Sequence, residues 1–387
     1  MKLGEVCDNI SVTFDKTKQQ VVLVNTSDVL NGKVTNHVLV NNKGLKGQFK
    51  KTFQKDDILY SEIRPKNKRF AFIDFNANDY VASTKLMVIR ANKKVLPQYL
   101  YQVLKSEEVI NQLQALAESR SGTFPQITFS ELAQINVRIP KLDEQKEIAN
   151  FLKLFDDKIE NNKKINHHLE QMAQVLFEQV YYDGSSAQLG DALSTLESGS
   201  RPKGGAELDG IPSIGAENIE RFGQYDYTKE KFISHEYFKR LNRGVVHSGD
   251  VLLYKDGAYT GKVSMALDGF PHAQCAVNEH IFILRPNELA PSSFFLYFLL
   301  LNSENKQALF SRASSKAAQP GLNQTEVKTL PILLPKIEKI VEFDNTIAPF
   351  MHQIAKNANE NRKLSTLRDT LLPKLLSGEI SVNQAAK

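Results

Sequence analysis

The chain has 387 residues, 41% hydrophobic and 24% charged, which is enough for two or three domains with packed cores. Its formal net charge of +5 favours acidic partners only mildly, and its two cysteines, Cys7 and Cys275, lie too far apart to indicate a disulfide framework or a zinc site. The most apolar stretch, 292–301, is much shorter than the roughly 20 residues of a membrane span. Since the first residues also lack a signal-peptide pattern, we expect a soluble, cytoplasmic protein without membrane contact.

In chain order, short runs that favour β-strands come first. These runs cover 21–24, 34–40, 70–75 and 86–90, and a helix with few breakers is predicted over 97–118. The second half repeats this pattern, with strands predicted at 251–253, 262–267 and 280–284 and a helix at 291–310. Both halves are therefore predicted to contain an α+β domain.

Each of these parts is followed by a long heptad pattern. Steps of four and three, typical of a coiled-coil seam, connect positions from Ile148 to Val180, and every seam position recurs 195 residues later, from Phe343 to Leu375. The same shift takes Pro140 to Pro335. Upstream, Asp57-Ile58-Leu59 matches Asp250-Val251-Leu252 with a slightly smaller shift. The chain is thus a tandem duplication.

Both seams carry two asparagines at their centre. Antiparallel pairing of the two helices would place Asn162 opposite Asn361 and Asn166 opposite Asn357. Buried asparagines at a seam cost stability and specify register. We therefore predict that these four fix the register of an intramolecular antiparallel coiled coil; the alternative is that they are solvated interruptions of the seam.

The predicted fold is α+β, with two tandem globular domains, each followed by a long α-helix. The predicted boundaries are 1–140 for the first domain, 141–183 for the first helix, 184–335 for the second domain, 336–380 for the second helix and 381–387 for a tail.

Sequence motifs for catalysis are missing. The segment 257–263 has one residue too few between its glycines for a phosphate loop, and Val263 stands where Ser or Thr is needed. Neither a GxGxxG loop nor an HExxH or GxSxG motif stands out, and the adjacent His167 and His168 would point about 100° apart on a helix. A binding role is therefore favoured, with no cofactor and no metal.

Basic residues cluster between 43 and 69 with aromatic residues among them, a pattern typical of phosphate contact, although a solvated charged loop would look similar. Further candidates are loop residues whose side chains can read base edges or contact phosphates, since arginine can read guanine and Asn or Gln can read adenine. The candidate DNA-binding residues are Lys46, Lys50, Lys51, Arg64, Lys66, Lys68, Arg69, Arg120, Arg201, Lys203, Asn218, Lys255, Tyr259, Lys262, Gln274 and Lys316.

Three segments resemble the specificity subunits of type I restriction–modification enzymes. The segment 139–148, Ile-Pro-Lys-Leu-Asp-Glu-Gln-Lys-Glu-Ile, resembles the start of the long helices of that family. The pair 249–253 and 257–262 resembles its Gly-Asp-Ile-Leu…Gly-Ala-x-x-Gly-Lys hairpin, and 372–380 resembles its C-terminal signature. Two departures stand out: the second helix opening lacks the Glu-Gln pair, and the first copy has Tyr60–Pro65 in place of the Gly-Ala…Gly-Lys hairpin.

The resemblance implies a DNA-binding subunit without catalysis of its own. Each globular domain would read one half of a bipartite, asymmetric target in double-stranded DNA, and the coiled coil would set the gap between the halves. Two adenine methyltransferase subunits would dock on the helices and flip one adenine in each half out of the stack, and restriction subunits with nuclease and translocase activity would join. The methyl donor and ATP would belong to these partners. Two alternatives are an enzyme, and a scaffold or DNA mimic without sequence-specific DNA binding.

Overall fold

In this computed structural model, the structure describes residues 1–30, 32–43, 47–119, 125–314 and 321–386. The chain forms two compact units. The first unit consists of Met1–Asp156 and Ser365–Lys387, and the second of Asp157–Leu364. The fold class is as predicted, because each unit combines sheets with short helices and with segments of two long helices. The exact domain boundaries stay a prediction.

The elements of the first half come in the order of strands, short helices and one long helix. They are β1 (Cys7–Asn9), β2 (Gln20–Val24), β3 (Val29–Leu30), β4 (Lys33–Val34), β5 (Leu39–Asn41), β6 (Phe49–Lys51), β7 (Ile58–Ser61), β8 (Phe70–Phe72), β9 (Tyr80–Ser83), β10 (Leu86–Ala91), α1 (Pro97–Leu104), α2 (Glu107–Glu118), α3 (Phe129–Leu132) and α4 (Leu142–Tyr181).

The second half follows a similar order, with a short helix among its strands, a strand before its long helix and a short helix after it. Its elements are β11 (Ser185–Gln188), β12 (Leu193–Ser198), β13 (Ile211–Ile214), β14 (Ile219–Arg221), β15 (Gln224–Tyr225), β16 (Phe232–Ile233), α5 (His235–Lys239), β17 (Val251–Tyr254), β18 (Val263–Met265), β19 (Ala276–Val277), β20 (Ile281–Pro286), α6 (Ser293–Leu301), α7 (Ser303–Ser314), α8 (Gln324–Lys328), β21 (Pro331–Leu334), α9 (Ile337–Ser377) and α10 (Val382–Ala385).

The central sheet of the first unit has the strand order β1-β10-β7-β8 and is antiparallel. Its side chains alternate between two cores, as a pleated strand requires. Ile58 and Tyr60 join the cluster that includes α1 and α2, whereas Leu59 joins the cluster with the second sheet, β5-β2-β9-β6. A sheet buried on both faces explains why its strands are short apolar runs.

The second unit repeats this sheet in the order β12-β20-β17-β18. Val251 and Leu253 face the helical cluster, and Leu252 faces the other core. The pairing of β7 with β8 and that of β17 with β18 have the same register: Ile58 opposes Phe72, and Val251 opposes Met265, each 193 residues later (58 to 251, 72 to 265). The duplication seen in the sequence is therefore a duplication of the fold.

Both helices predicted in the globular parts are broken in two, which corrects the sequence prediction. The first break follows Lys105, where the Ser106 hydroxyl accepts from the backbone N–H of Val109 and caps α2. The second is at Asn302, whose side chain accepts from the N–H groups of Glu304 and Asn305. In both places a polar side chain satisfies the free amides of a new helix start, which competes with helix continuation.

The single strand predicted over 34–40 is also wrong, because residues 35–38 separate β4 from β5. Asn36 explains the interruption. Its side chain accepts from the N–H of Val38 at 3.1 Å and donates to the carbonyl of Leu23 at 2.8 Å. Such a local side-chain turn replaces the ladder of a strand.

The long helices pack side by side in opposite directions within each unit, which confirms the predicted antiparallel pairing. In the second unit Asn162 contacts Asn361 and Asn166 contacts Asn357. Residue numbers in α9 therefore fall as those in α4 rise, as antiparallel helices require. In the first unit Asp156 of α4 accepts from Arg368 of α9 at 2.5 Å and from Lys105 at 2.9 Å. Burial raises the pKa of Asp156, but these two cations outweigh it and leave the pKa below its ordinary value.

The two helix openings differ as their sequences do. Gln145 is fully buried near the start of α4, where it accepts from the N–H of Leu96 and donates to the carbonyls of Lys94 and Pro140. The equivalent residue of α9, Ile340, is also fully buried but lies in an apolar cluster. The first opening is thus held by hydrogen bonds and the second by packing.

Candidate nucleic-acid interface

An ion pair between a buried aspartate and a partly exposed arginine supports the same hairpin in both copies. Asp57, 1% exposed, precedes β7 and accepts a hydrogen bond from Nε of Arg90 at 2.7 Å. Asp250, 2% exposed, precedes β17 and accepts a hydrogen bond from Nε of Arg285 at 2.6 Å. Each arginine adds a second hydrogen bond at 2.8 Å, so both pairs are bidentate. The hydrogen bond to aspartate raises the pKa of both arginines, and the strand that leads into the hairpin is fixed to its neighbour.

The turns at the ends of these hairpins have left-handed residues at two equivalent positions. Gly257 and Gly261 have left-handed φ angles of 66° and 87°. Their equivalents, 193 residues earlier, are Arg64 and Lys68, with φ angles of 44° and 52°. The first copy therefore has the hairpin that its sequence indicated was missing, which corrects that prediction. The signature was not recognisable because neither left-handed position carries a glycine.

Side chains of the first turn differ in their exposure. Arg64 and Lys66 are exposed, as is Lys50 on β6. Lys68 and Arg69 are partly buried: Lys68 pairs with Glu107, and Arg69 donates to the carbonyls of Thr26 and Ser27 at 3.0 Å. Exposure thus favours Lys66 and Lys50 as candidates for phosphate contact.

Lys51 has a structural role instead. Its ammonium group donates to the carbonyls of Thr84 and Leu86 at 3.1 and 2.8 Å, and burial lowers its pKa. An ammonium group that is occupied in this way is poorly placed to neutralise a phosphate. The basic run is therefore only partly a contact surface.

The second unit holds a mixed set of candidates. Arg201, Lys203, Tyr259 and Gln274 are exposed. Lys255 lies 3.4 Å from Asp256. Lys262 donates to the carbonyl of Ile219 and to Glu220, and its ammonium lies 4.6 Å from the centroid of the Tyr259 ring.

Asn218 is not available to read a base, which corrects its assignment. It is 1% exposed, its carbonyl accepts from the N–H of Gly215 at 2.9 Å, and its amide donates to the carbonyl of Asp226 at 3.0 Å. Both ends of the side chain therefore hold a turn. Three further candidates, Lys46, Arg120 and Lys316, lie outside the described residues.

Further polar residues near the two turns form ion pairs and hydrogen bonds within each unit. In the second unit Arg201 lies 3.9 Å from Glu279, whose neighbour His280 contacts Asp256 at 2.8 Å. In the first unit Lys85 lies 3.8 Å from Glu62 and donates to Gln126 at 3.0 Å. Sequence reasoning missed Glu279, His280 and Lys85, since nothing in the sequence distinguished them from other polar surface residues.

The seam asparagines are placed as the antiparallel model requires. Asn162 donates to Asn361 at 2.9 Å, and Asn357 donates to Asn166 at 2.7 Å. Asn162 is fully buried, and its carbonyl oxygen has no partner among the described residues. Groups of this kind are costly to bury, which supports a role in register, although that role stays a prediction.

The described parts of the chain contain no group of three or more His, Cys, Asp or Glu side chains that could hold a metal ion. They also contain no helix of the length and apolarity needed to cross a membrane.

Comparison with known proteins gives the family. The model described as "Type I restriction modification DNA specificity domain" matches residues 1–171 and 206–368, so the chain belongs to this family of specificity subunits. It is similar to the type I restriction enzyme HindI specificity subunit of Haemophilus influenzae, with 31% identity over 98% of both chains. It is also similar to the MjaIX specificity subunit of Methanocaldococcus jannaschii, with 24% identity over 89% of this chain and 82% of the relative.

The fold likewise has a solved counterpart. The crystal structure of a type I restriction–modification S subunit from M. genitalium matches 97% of this chain and 95% of that one, with a TM-score of 0.56 at 15% identity. At this identity the likeness shows the fold alone.

Proposed function

We propose that this chain is the DNA sequence-specificity subunit of a type I restriction–modification complex. The observation that carries the proposal is the duplicated sheet and hairpin, which gives one chain two similar domains with different exposed side chains. Such an arrangement is suited to a bipartite, asymmetric target in double-stranded DNA, with one half read by each domain. Family membership supports the same role.

In this proposal the coiled coil sets the gap between the two half-sites. Two adenine methyltransferase subunits dock on its helices, and restriction subunits join that core. Catalysis, methyl donor and ATP belong to these partners, and this chain contributes recognition without a cofactor of its own. Since it acts on DNA together with them, we propose a cytoplasmic location.

The experiment that tests the proposal is a map of methylated adenines. A host that carries this chain and its methyltransferase subunit is compared with the same host without the chain. We expect a split motif of two short halves with a fixed gap, which disappears with the chain. Methylation that is identical in both hosts would contradict the proposal and leave the scaffold as the alternative.

The gap should follow the length of the helices. One heptad inserted into α4 between Leu152 and Leu169, together with one in α9 between Ile347 and Leu364, adds about 10 Å of paired helix. We expect the gap in the methylation motif to grow by about three base pairs. An insertion in α4 alone misaligns the seam and serves as the control, with loss of methylation expected. An active double insertion with an unchanged gap would refute the proposal that the coiled coil sets the gap.

Substitutions of two adjacent lysines, Lys50 and Lys51, can distinguish phosphate contact from structural support. For Lys50→Ala we expect the slope of log affinity for DNA against log salt to fall by about 0.9, because one released counterion is lost. For Lys51→Ala we expect an unchanged slope but a loss of about 1 kcal/mol in the free energy of unfolding, because two carbonyls lose their donor. Salt titrations and urea unfolding measure both. A wild-type affinity that does not respond to salt would favour the protein-only scaffold.

A further inference from the structure

The duplication makes three pairings of the long helices conceivable. Because every seam position of α4 recurs 195 residues later in α9, α4 could pair antiparallel with α9, with the α4 of a second copy of the chain, or leave α9 to pair with a second α9. The structure contains the pairing of α4 with α9. Layers of the seam that differ between the three pairings would determine which partner is preferred.

The asparagine layers are the same in all three pairings. Asn357 and Asn361 lie 195 residues after Asn162 and Asn166. Two α4 helices would therefore place Asn162 opposite Asn166 of the second copy, which is again asparagine against asparagine. These layers can specify register, but they cannot distinguish α9 from a second α4.

A charged layer of the first unit does differ between the pairings. Asp156 of α4 accepts from Arg368 of α9 at 2.5 Å, and the two side chains are 33% and 22% exposed. The residues 195 positions away are Met351 and Ala173, which are fully buried in one apolar cluster of the second unit. Equivalent positions of the duplication are thus ionic in the first unit and apolar in the second.

Pairing of like helices would separate the charges of this layer. Two α4 helices would place Asp156 opposite Ala173 of the second copy. Two α9 helices would place Arg368 opposite Met351 of the second copy. In both cases a partly buried charge would lose its partner across the seam, which costs stability, although Asp156 would keep Lys105 of its own domain at 2.9 Å.

A second charged layer, in the second unit, shows the same difference. The ammonium of Lys158 on α4 lies 3.4 Å from Glu360 on α9, and Glu360 also accepts from Asn162 at 2.7 Å. The residues 195 positions away are Gln353 and Ile165, both exposed and neither charged. Opposite charges therefore meet in this layer only when α4 pairs with α9. Charges that flank a coiled-coil seam are known to set the choice of partner.

We propose that these two charged layers, Asp156 with Arg368 and Lys158 with Glu360, make α4 and α9 selective for each other over a second copy of the same helix. Selective pairing is a property of the helices and does not rest on the proposed function. Under the proposed function it has a consequence: each coiled coil connects two different recognition domains, and the symmetric association of two like halves is disfavoured.

Substitutions in the full chain can reproduce the layer of each like pairing. Arg368→Ala gives the layer of two α4 helices, with aspartate opposite alanine, and Asp156→Met gives the layer of two α9 helices, with methionine opposite arginine. The double variant gives the apolar combination that the second unit already contains. We expect each single variant to lower the folding equilibrium constant of the first unit by about tenfold, and the double variant to recover most of this loss, because an apolar pair can replace an ion pair but an unpaired charge cannot. Urea unfolding, together with hydrogen exchange resolved by unit, measures both effects.

The more exposed contact allows a second, independent double-mutant cycle. Lys158→Gln and Glu360→Ile introduce the residues of the equivalent positions. We expect the two changes to be coupled by about twofold in the folding equilibrium constant of the second unit, and the coupling to shrink at high salt because exposed charges are screened. The matched control is Lys164→Gln with Glu338→Gln, two exposed charges at different levels of the same helices, for which additive effects are expected.

Two results would overturn the proposal: single variants of the first layer that are as stable as the wild type, or a double variant that loses the sum of both single losses. If Asp156→Met or Arg368→Ala leaves too little folded protein to measure, the cycle of Lys158 and Glu360 decides. A coupling larger than that of the control then supports selective pairing, and additive losses overturn it. Either result leaves the methylation test of the proposed function unaffected.

Discussion

Asp57→Ala is expected to lower the free energy of unfolding of the first unit by about 3 kcal/mol, because it removes a buried carboxylate that accepts three hydrogen bonds, two of them from a charged guanidinium. Arg90 would lose both of its hydrogen bonds to this carboxylate, and the N–H of Gln54 would lose its acceptor. Urea unfolding, or hydrogen exchange resolved by unit, measures the loss.

The second copy provides an internal comparison. Arg285 also lies 3.3 Å from Glu197, so that Asp250→Ala leaves it one carboxylate. We expect a smaller loss there, about 2 kcal/mol, confined to the second unit. Asp74→Ala removes an exposed carboxylate next to the same sheet and should change stability by less than about 0.5 kcal/mol. Equal effects of Asp57→Ala and Asp74→Ala would contradict the structural role.

The second large effect is expected at the helix seam. Asn357→Leu removes the donor to Asn166 and the acceptor of Gln353, both at 2.7 Å. Because a buried polar group without a partner costs about 1–3 kcal/mol, we expect the free energy of unfolding of the second unit to fall by about 2 kcal/mol.

A double-mutant cycle separates stability from register. Combining Asn166→Leu with Asn357→Leu replaces both partners by apolar groups and should recover most of the stability. Adding Asn162→Leu and Asn361→Leu removes the other polar pair as well, and methylation maps should then show more than one gap length because the register is no longer specified. Asn161→Leu, at an exposed neighbour on the same helix, is the matched control with little change expected. A fourfold variant that keeps a single gap length would show that packing alone sets the register.

The long helices could be predicted from sequence because a heptad pattern over about 40 residues outweighs local irregularities. The pairing of Asn162 with Asn361 followed from placing one seam against the other. The predictions of short elements were wrong where one polar side chain determines the local structure. Ser106 and Asn302 each cap a new helix where the sequence pattern indicates a continuous one. The pattern alone does not show whether tertiary packing favours a break at such a residue.

Much of the candidate interface could not be predicted from the sequence. Lys50 and Lys51 are identical in type and adjacent in sequence, yet only one of them donates to backbone carbonyls. The turn around Arg64 was missed because a left-handed residue without glycine leaves no mark in the sequence. Charge counting therefore predicts a contact surface but cannot say which of its cations have structural partners.

The discontinuity of the first unit has a consequence for synthesis on the ribosome. Its core contains Leu3 and Leu100 but also Leu372 and Leu375, which are translated only after the whole of the second unit. The second unit, 157–364, is contiguous and can fold as soon as it has emerged. Although its translation starts later, the second unit is thus the first whose residues have all been translated, and we expect the first unit to complete its core only after Leu372 and Leu375 follow.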